Sequence, residues 1–130
     1  FMFHSLLIIV GLLASLSIRP ASAQDATAGE KVFVKCKACH QVGETARNAV
    51  GPSLNGLIGR PSGSVEGYSY SDANKNSGLT WDEATFRDYI KNPRAKIPGT
   101  KMIFAGIQNE TEIDNLIAYL KEFPADGKRK

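Results

Sequence analysis

From Gln41 to Ser69 the chain runs for 29 residues with no hydrophobic period, helical or extended. Gly, Ser, Asn and Pro are frequent there, as they are from Asn92 to Gly106. A structureless loop of that length in a small domain normally counts against the assignment. It becomes reasonable when the loops wrap a body that is not protein. A large cofactor is therefore indicated before any ligand is identified.

Helices are predicted at both ends. Gly29, Val32, Phe33 and Cys36 recur at i, i+3, i+4 and i+7, and Ile113, Leu116, Ile117 and Leu120 repeat that spacing. Asn109 is placed to cap the second of these, with Glu112 three residues on and Pro124 past its end. A third helix is predicted in TWDEATFRDYIKNP, where Thr80 and Glu83 make a capping box and Pro93 stops the run. A short fourth is predicted from Ser71 to Asn76, closed by Gly78. No repeat and no strand-rich region is visible, so the fold class is all-α.

Residues 1–23 read differently. Leu6 to Leu16 is an almost unbroken apolar run, and Ala21-Ser22-Ala23 makes an A-x-A cleavage pattern before Gln24. A spanning helix needs roughly 20 apolar residues, and this run has 11. The expectation is a cleaved secretory signal peptide over 1–23 and one domain over 24–130, although Phe1 to Ser5 carries no Lys or Arg and the sequence begins with Phe. Residues 24–130 hold 15 Lys and Arg against 13 Asp and Glu, a formal +2. That balance lacks the basic stripe that nucleic-acid binding requires. The same span holds one His (His40), one Met (Met102), two Cys (Cys36 and Cys39) and one Trp (Trp81).

The motif Cys36-Lys37-Ala38-Cys39-His40 admits three chemistries. Thiol exchange needs a βαβ context, which is missing. Structural zinc needs four N or S ligands, and the span offers three in this motif. Haem attachment fits the spacing. Residues three apart on a helical turn bring two thiols to the two vinyl groups of one porphyrin edge, and the adjacent His is carried over the ring to bind iron. The second axial ligand is expected to be Met102, in IPGTKMIFAG, 62 residues after His40. A lone Met is usually a core filler. Here it lies in a loop interrupted by Pro and Gly, and Met/His ligation raises the reduction potential.

Through these residues the chain resembles the class I c-type cytochromes, close to mitochondrial cytochrome c and its bacterial periplasmic counterpart. CKACH, GPSLNGLIGR, YSYSDANKNSGLTW, NPRAKIPGTKMIFAG and LIAYLKEF carry the likeness, in the family's order, over nearly all of 24–130. It implies a small cytochrome c fold of three main helices plus a short one, with long loops wrapped around a single haem c attached through Cys36 and Cys39. His40 and Met102 would be axial, and the Pro52 carbonyl would orient His40. Tyr89 would approach the Met102 sulfur and Phe104 would cover the haem. Arg60, Tyr70, Asn74 and Trp81 would surround the buried propionate, and Thr100 would bind a propionate. Read without the family, Trp81 and Tyr70 could be ordinary core aromatics. Gly29 and Phe33 would meet Leu116 and Tyr119 where the terminal helices cross. Phe33 and Cys36 are separated by one residue fewer than in the mitochondrial form, and the charge is far below its strongly basic pattern.

The function implied is an electron carrier, not an enzyme, and a monomer. The exported, bacterial type places it in the periplasm, between a quinol:cytochrome c oxidoreductase and an oxidase or photosynthetic reaction centre. Lys35, Lys37, Lys96 and Lys101 would ring the haem edge and steer it to acidic docking surfaces on membrane redox complexes, with only transient association at the membrane surface. Two alternatives are the same carrier tethered by an uncleaved N-terminus, and a haem enzyme or sensor with an open iron site.

Overall fold

The computed structural model describes residues 24–130, and the leader expected over residues 1–23 lies outside the described residues. Five helices form among them: α1 Ala26–Phe33, α2 Asp72–Lys75, α3 Glu83–Lys91, α4 Pro93–Lys96 and α5 Glu110–Lys121. Loops make up the rest, apart from one antiparallel bridge between Pro61 and Thr80.

The core is built where α1 crosses α5. Phe33, Ile113, Leu116, Ile117 and Leu120 are essentially sealed from solvent, and each such burial stabilises by roughly 1.5–3 kcal/mol. The crossing is close because Gly29 has no side chain. A Cβ there would come within 1.8 Å of the Asn115 carbonyl oxygen and 2.8 Å of Tyr119 Cβ. The rings of Phe33 and Tyr119 meet at 5.3 Å beside it. Asp25 caps α1 by accepting from the Thr27 and Ala28 N–H groups. Its own N–H donates to Asn115 Oδ1 at 3.0 Å, which ties the start of α1 to α5.

The helix ends correct the sequence reading in three places. Thr80 does not cap α3: it is taken into the bridge with Pro61, and Asp82 caps instead, accepting from the Thr85 N–H at 2.7 Å. Asn109 does cap α5, but Glu112 turns away from the box to Lys35 Nζ at 3.3 Å. Pro93 ends α3 and also opens α4, where a missing N–H costs nothing. Asn92 serves both helices, as the C-cap of α3 and the N-cap of α4. The predicted short helix is α2, capped by Ser71 and followed by Gly78 at φ +68°.

After α5 the chain folds back on the long loop. The Gly56 N–H donates to the Phe123 carbonyl at 2.8 Å. Asn55 pairs with Gly43 in both directions, at 2.9 and 2.8 Å. Gly127, at φ +74°, lies so near that a Cβ would meet the Gly43 oxygen at 2.2 Å. The long loop is thus pinned to the tail rather than left to solvent.

Candidate functional site

The end of α1 continues as a run of turns that presents the cysteine motif. The Cys39 and His40 N–H groups both donate to the Cys36 carbonyl, at 3.1 and 2.9 Å. One helical turn therefore separates the two thiols and carries His40 directly after them. Burial pushes the Cys36 thiol up to about 11, against the opposing pull of Lys35 and with a smaller push from Cys39. Such a thiol is a poor nucleophile at neutral pH, which argues against a thiol-exchange role.

His40 Nδ1 lies 2.8 Å from the Pro52 carbonyl oxygen. A carbonyl only accepts, so Nδ1 carries the proton and Nε2 keeps its lone pair. Burial lowers the imidazole pKa, the Pro52 bond opposes it, and Arg60 lowers it further, so the ring is held neutral. Gly51 makes room for it: a Cβ there would sit 2.3 Å from His40 Cε1. The Gly51 N–H donates to the Cys39 carbonyl at 2.8 Å, which closes the loop back onto the motif. The GP pair signalled Pro52 in the sequence, but Gly51 gave no sign of its part.

The Tyr89 phenol donates to Met102 Sδ at 2.9 Å. Burial pushes that phenol up to about 12, so it remains a donor at neutral pH. Tyr89 lies on the inner face of α3, with its ring 4.6 Å from that of Trp81. Thr100 Oγ1 accepts from the Met102 N–H at 3.2 Å. Phe104 and Met102 are half-buried against the core.

These groups face one cavity of about 570 Å³, within the range of cofactor sites. All twelve residues singled out from the sequence line it: Cys36, Cys39, His40, Pro52, Arg60, Tyr70, Asn74, Trp81, Tyr89, Thr100, Met102 and Phe104. Its wall holds Lys35, Arg60 and Lys101 but no Asp or Glu, so it favours an anionic guest. The Trp81 indole N–H and the Asn74 side-chain N–H₂ have no acceptor among the described residues, yet no such atom is sealed away. A donor-rich, apolar-walled cavity with two thiols and a free imidazole lone pair fits a haem with its propionates.

Some groups are engaged in ways the sequence did not signal. Arg60 Nη1 donates to the Ser53 and Asn55 carbonyls, at 3.0 and 2.9 Å. The Tyr70 hydroxyl accepts from the Val65 N–H at 3.0 Å. Tyr68 lines the cavity too, donates to the Val50 carbonyl at 2.7 Å and carries Lys101 Nζ over its ring. Lys101 also donates to the Ser69 carbonyl.

A helical domain closed by its two ends, with loops enclosing one cavity that begins at a CxxCH turn, defines the class of small haem-carrying proteins. The Cytochrome c family model matches residues 26–124. The chain is 58% identical to cytochrome c2 of Blastochloris viridis over 124 residues, covering 95% of this chain and 98% of that protein. It is 67% identical to cytochrome c-550 of Bradyrhizobium diazoefficiens over 105 residues, covering 81% of this chain and 77% of that one. Among solved structures, cytochrome cH from Methylobacterium extorquens superposes with a TM-score of 0.71 at 50% identity, covering 75% of this chain and 97% of that one. The chain belongs to the cytochrome c family. It is a class I c-type cytochrome with one haem c attached through Cys36 and Cys39, and it carries electrons rather than turning over a substrate.

Proposed function

We propose that His40 and Met102 are the axial ligands and that the protein shuttles single electrons between membrane redox complexes in the periplasm. The observation that carries this reading is that both donors already have their supports: Pro52 holds His40 by Nδ1, and Tyr89 holds the Met102 sulfur. The haem supplies a one-electron iron couple. The chain's own residues keep the site apolar and the two donors fixed. Arg60, Asn74, Trp81, Tyr70 and Thr100 are the groups proposed to hold the propionates. A site that changes little between oxidation states keeps reorganisation small.

The cavity rim supports a docking role. Ile103 and Val50 line it while remaining 86% and 72% exposed. Lys35 and Lys101 stand beside them, which suits a partner with an apolar centre and an acidic border. The donor would be a quinol:cytochrome c oxidoreductase, and the acceptor an oxidase or reaction centre. No helix among the described residues is long and apolar enough to cross a membrane.

The ferric protein at neutral pH is expected to show the red-region Met–iron absorption band, and Met102→Leu to abolish it. Absence of the band from the unmodified protein would favour an enzyme or sensor with an open site. Sequencing the N-terminus of the protein from cells is expected to give a chain that begins at Gln24. An intact leader would establish the tethered form.

A further inference from the structure

The Asn74 amide can face the cavity with either of two ends, and the two have opposite polarity. Its N–H₂ group attracts an anion, and its carbonyl oxygen repels one. Which end faces in is decided outside the cavity, by two serines that do not line it. The Leu79 backbone N–H, which can only donate, meets Ser77 Oγ at 3.4 Å. Ser77 Oγ donates to Ser62 Oγ at 3.0 Å. Ser62 Oγ in turn lies 2.8 Å from Asn74 Oδ1 and 3.2 Å from the Asn74 carbonyl oxygen. Each hydroxyl has one proton to give. Ser77 accepts from Leu79 and donates to Ser62, whose one proton goes to the nearer Asn74 oxygen, Oδ1, so Nδ2 is left on the other side.

The backbone is shaped for this contact. Gly63, at φ +72°, lets the Ser62 loop lie against α2, where a Cβ would come within 3.0 Å of Lys75 Cα. The Asn74 N–H is fixed separately by the cap oxygen of Ser71 at 3.1 Å. The side chain is thus left with one torsional choice, and Ser62 opposes the inverted one.

We propose that Ser62, backed by Ser77, is a positioning residue that turns Asn74 so that its N–H₂ group faces the cavity. The inference rests on reading that cavity as the haem site, where Asn74 meets a propionate carboxylate. Two N–H donors toward that carboxylate offset its negative charge and favour the ferrous state. An inverted or wandering amide places a carbonyl oxygen there and favours the ferric state.

The test uses the haem-loaded protein, with the red-region band confirming an intact site in each variant. Two quantities are read: the midpoint potential, and hydrogen exchange of the Asn74 side-chain N–H₂, its ¹⁵N resonances assigned by their loss in Asn74→Ala. Ser62→Ala is expected to lower the potential and to speed that exchange by about fivefold, the worth of one neutral hydrogen bond. Ser62→Thr keeps the hydroxyl and is expected to match the wild type. Ser77→Ala is expected to shift both readings the same way by less, and it keeps the test available should Ser62→Ala fold poorly. Wild-type readings in Ser62→Ala, with a lowered potential in Asn74→Ala, would overturn the relay and leave the haem reading standing. A wild-type potential in Asn74→Ala would overturn the proposal at the amide itself, since no propionate would then sit there, and would leave the haem attachment untouched. A Ser62→Thr variant behaving like Ser62→Ala would overturn the role of the hydroxyl.

Discussion

Tyr89 on α3 donates its phenolic hydrogen to the sulfur of Met102, 13 residues further along the chain, at 2.9 Å. The hydrogen bond draws electron density from the sulfur. With Met102 as the proposed iron ligand, a sulfur so weakened would support the ferric state less well, and the bond would raise the potential. Tyr89→Phe keeps the ring against Trp81 and removes only the hydroxyl. Its midpoint potential is expected to fall by some tens of millivolts, the one-electron equivalent of about 1 kcal/mol for a neutral hydrogen bond. Spectroelectrochemical titration of the two proteins side by side checks this, and an unchanged potential would mean that the bond does not act on the ligand.

Gly29→Ala is expected to be far more damaging than its size suggests. The added methyl would fall 1.8 Å from the Asn115 carbonyl oxygen, on backbone that cannot rotate away. Either α1 must lift off α5 or the crossing must shift, at about 3 kcal/mol. The denaturant midpoint should drop accordingly with the slope unchanged.

Asp82 gives the stability a pH dependence with a definite sign. The Thr85 backbone N–H, and then the Thr85 hydroxyl, hold its carboxyl below the usual carboxylate range. The folded chain therefore binds this proton less readily than the unfolded one. The cap's contribution is complete above the unfolded value, about 3.9, and is lost as pH falls through the lower folded value. Asp82→Asn caps without titrating. Unfolding curves at pH 3 and pH 7 are expected to differ less for this variant than for the wild type. The remaining acid sensitivity belongs to carboxylates such as Asp88, lowered by Lys96, and Glu110, lowered by Lys91 and Arg87.

The four lysines read as a steering ring are not equivalent. Lys35 is paired with Glu112 at 3.3 Å and Lys96 with Asp88 at 2.7 Å. Lys101 is held over Tyr68. Lys37 is exposed and has no ion pair among the described residues. Lys37→Glu is expected to slow reduction by a quinol:cytochrome complex several-fold at low salt, and more than Lys96→Glu. The difference should shrink as ionic strength rises. Equal rates for the two variants at low salt would remove Lys37 from the docking surface.

The parts of this molecule that could be read from sequence are those where covalent or ligand chemistry restricts the residue type. Only cysteines form the thioethers, and residues 24–130, with one His and one Met, narrow the proposed iron ligands to His40 and Met102. Long helices were legible from their apolar spacing. The caps of α3 were not, because Thr80 and Asp82 are both good caps two residues apart, and the bridge to Pro61 decides between them. Pro93 reads as a stop, yet the same missing N–H suits it to begin α4. Gly51 and Gly127 matter through what lies against them, His40 and Gly43, and a glycine's neighbours are not written beside it. Ser62 and Ser77 meet across 15 residues, which only the folded loop brings together.

The helix that begins the folded domain has its partner at the other end. At eight residues, α1 is too short to persist alone in water, and its buried face rests on α5, some 80 residues downstream. A chain emerging from its N-terminus onward cannot complete this core until Glu110–Lys121 has appeared. Until then the turn that carries Cys36 and Cys39 has no completed core to pack against. The crossing that makes the finished protein firm thus makes its assembly wait on both ends of the domain.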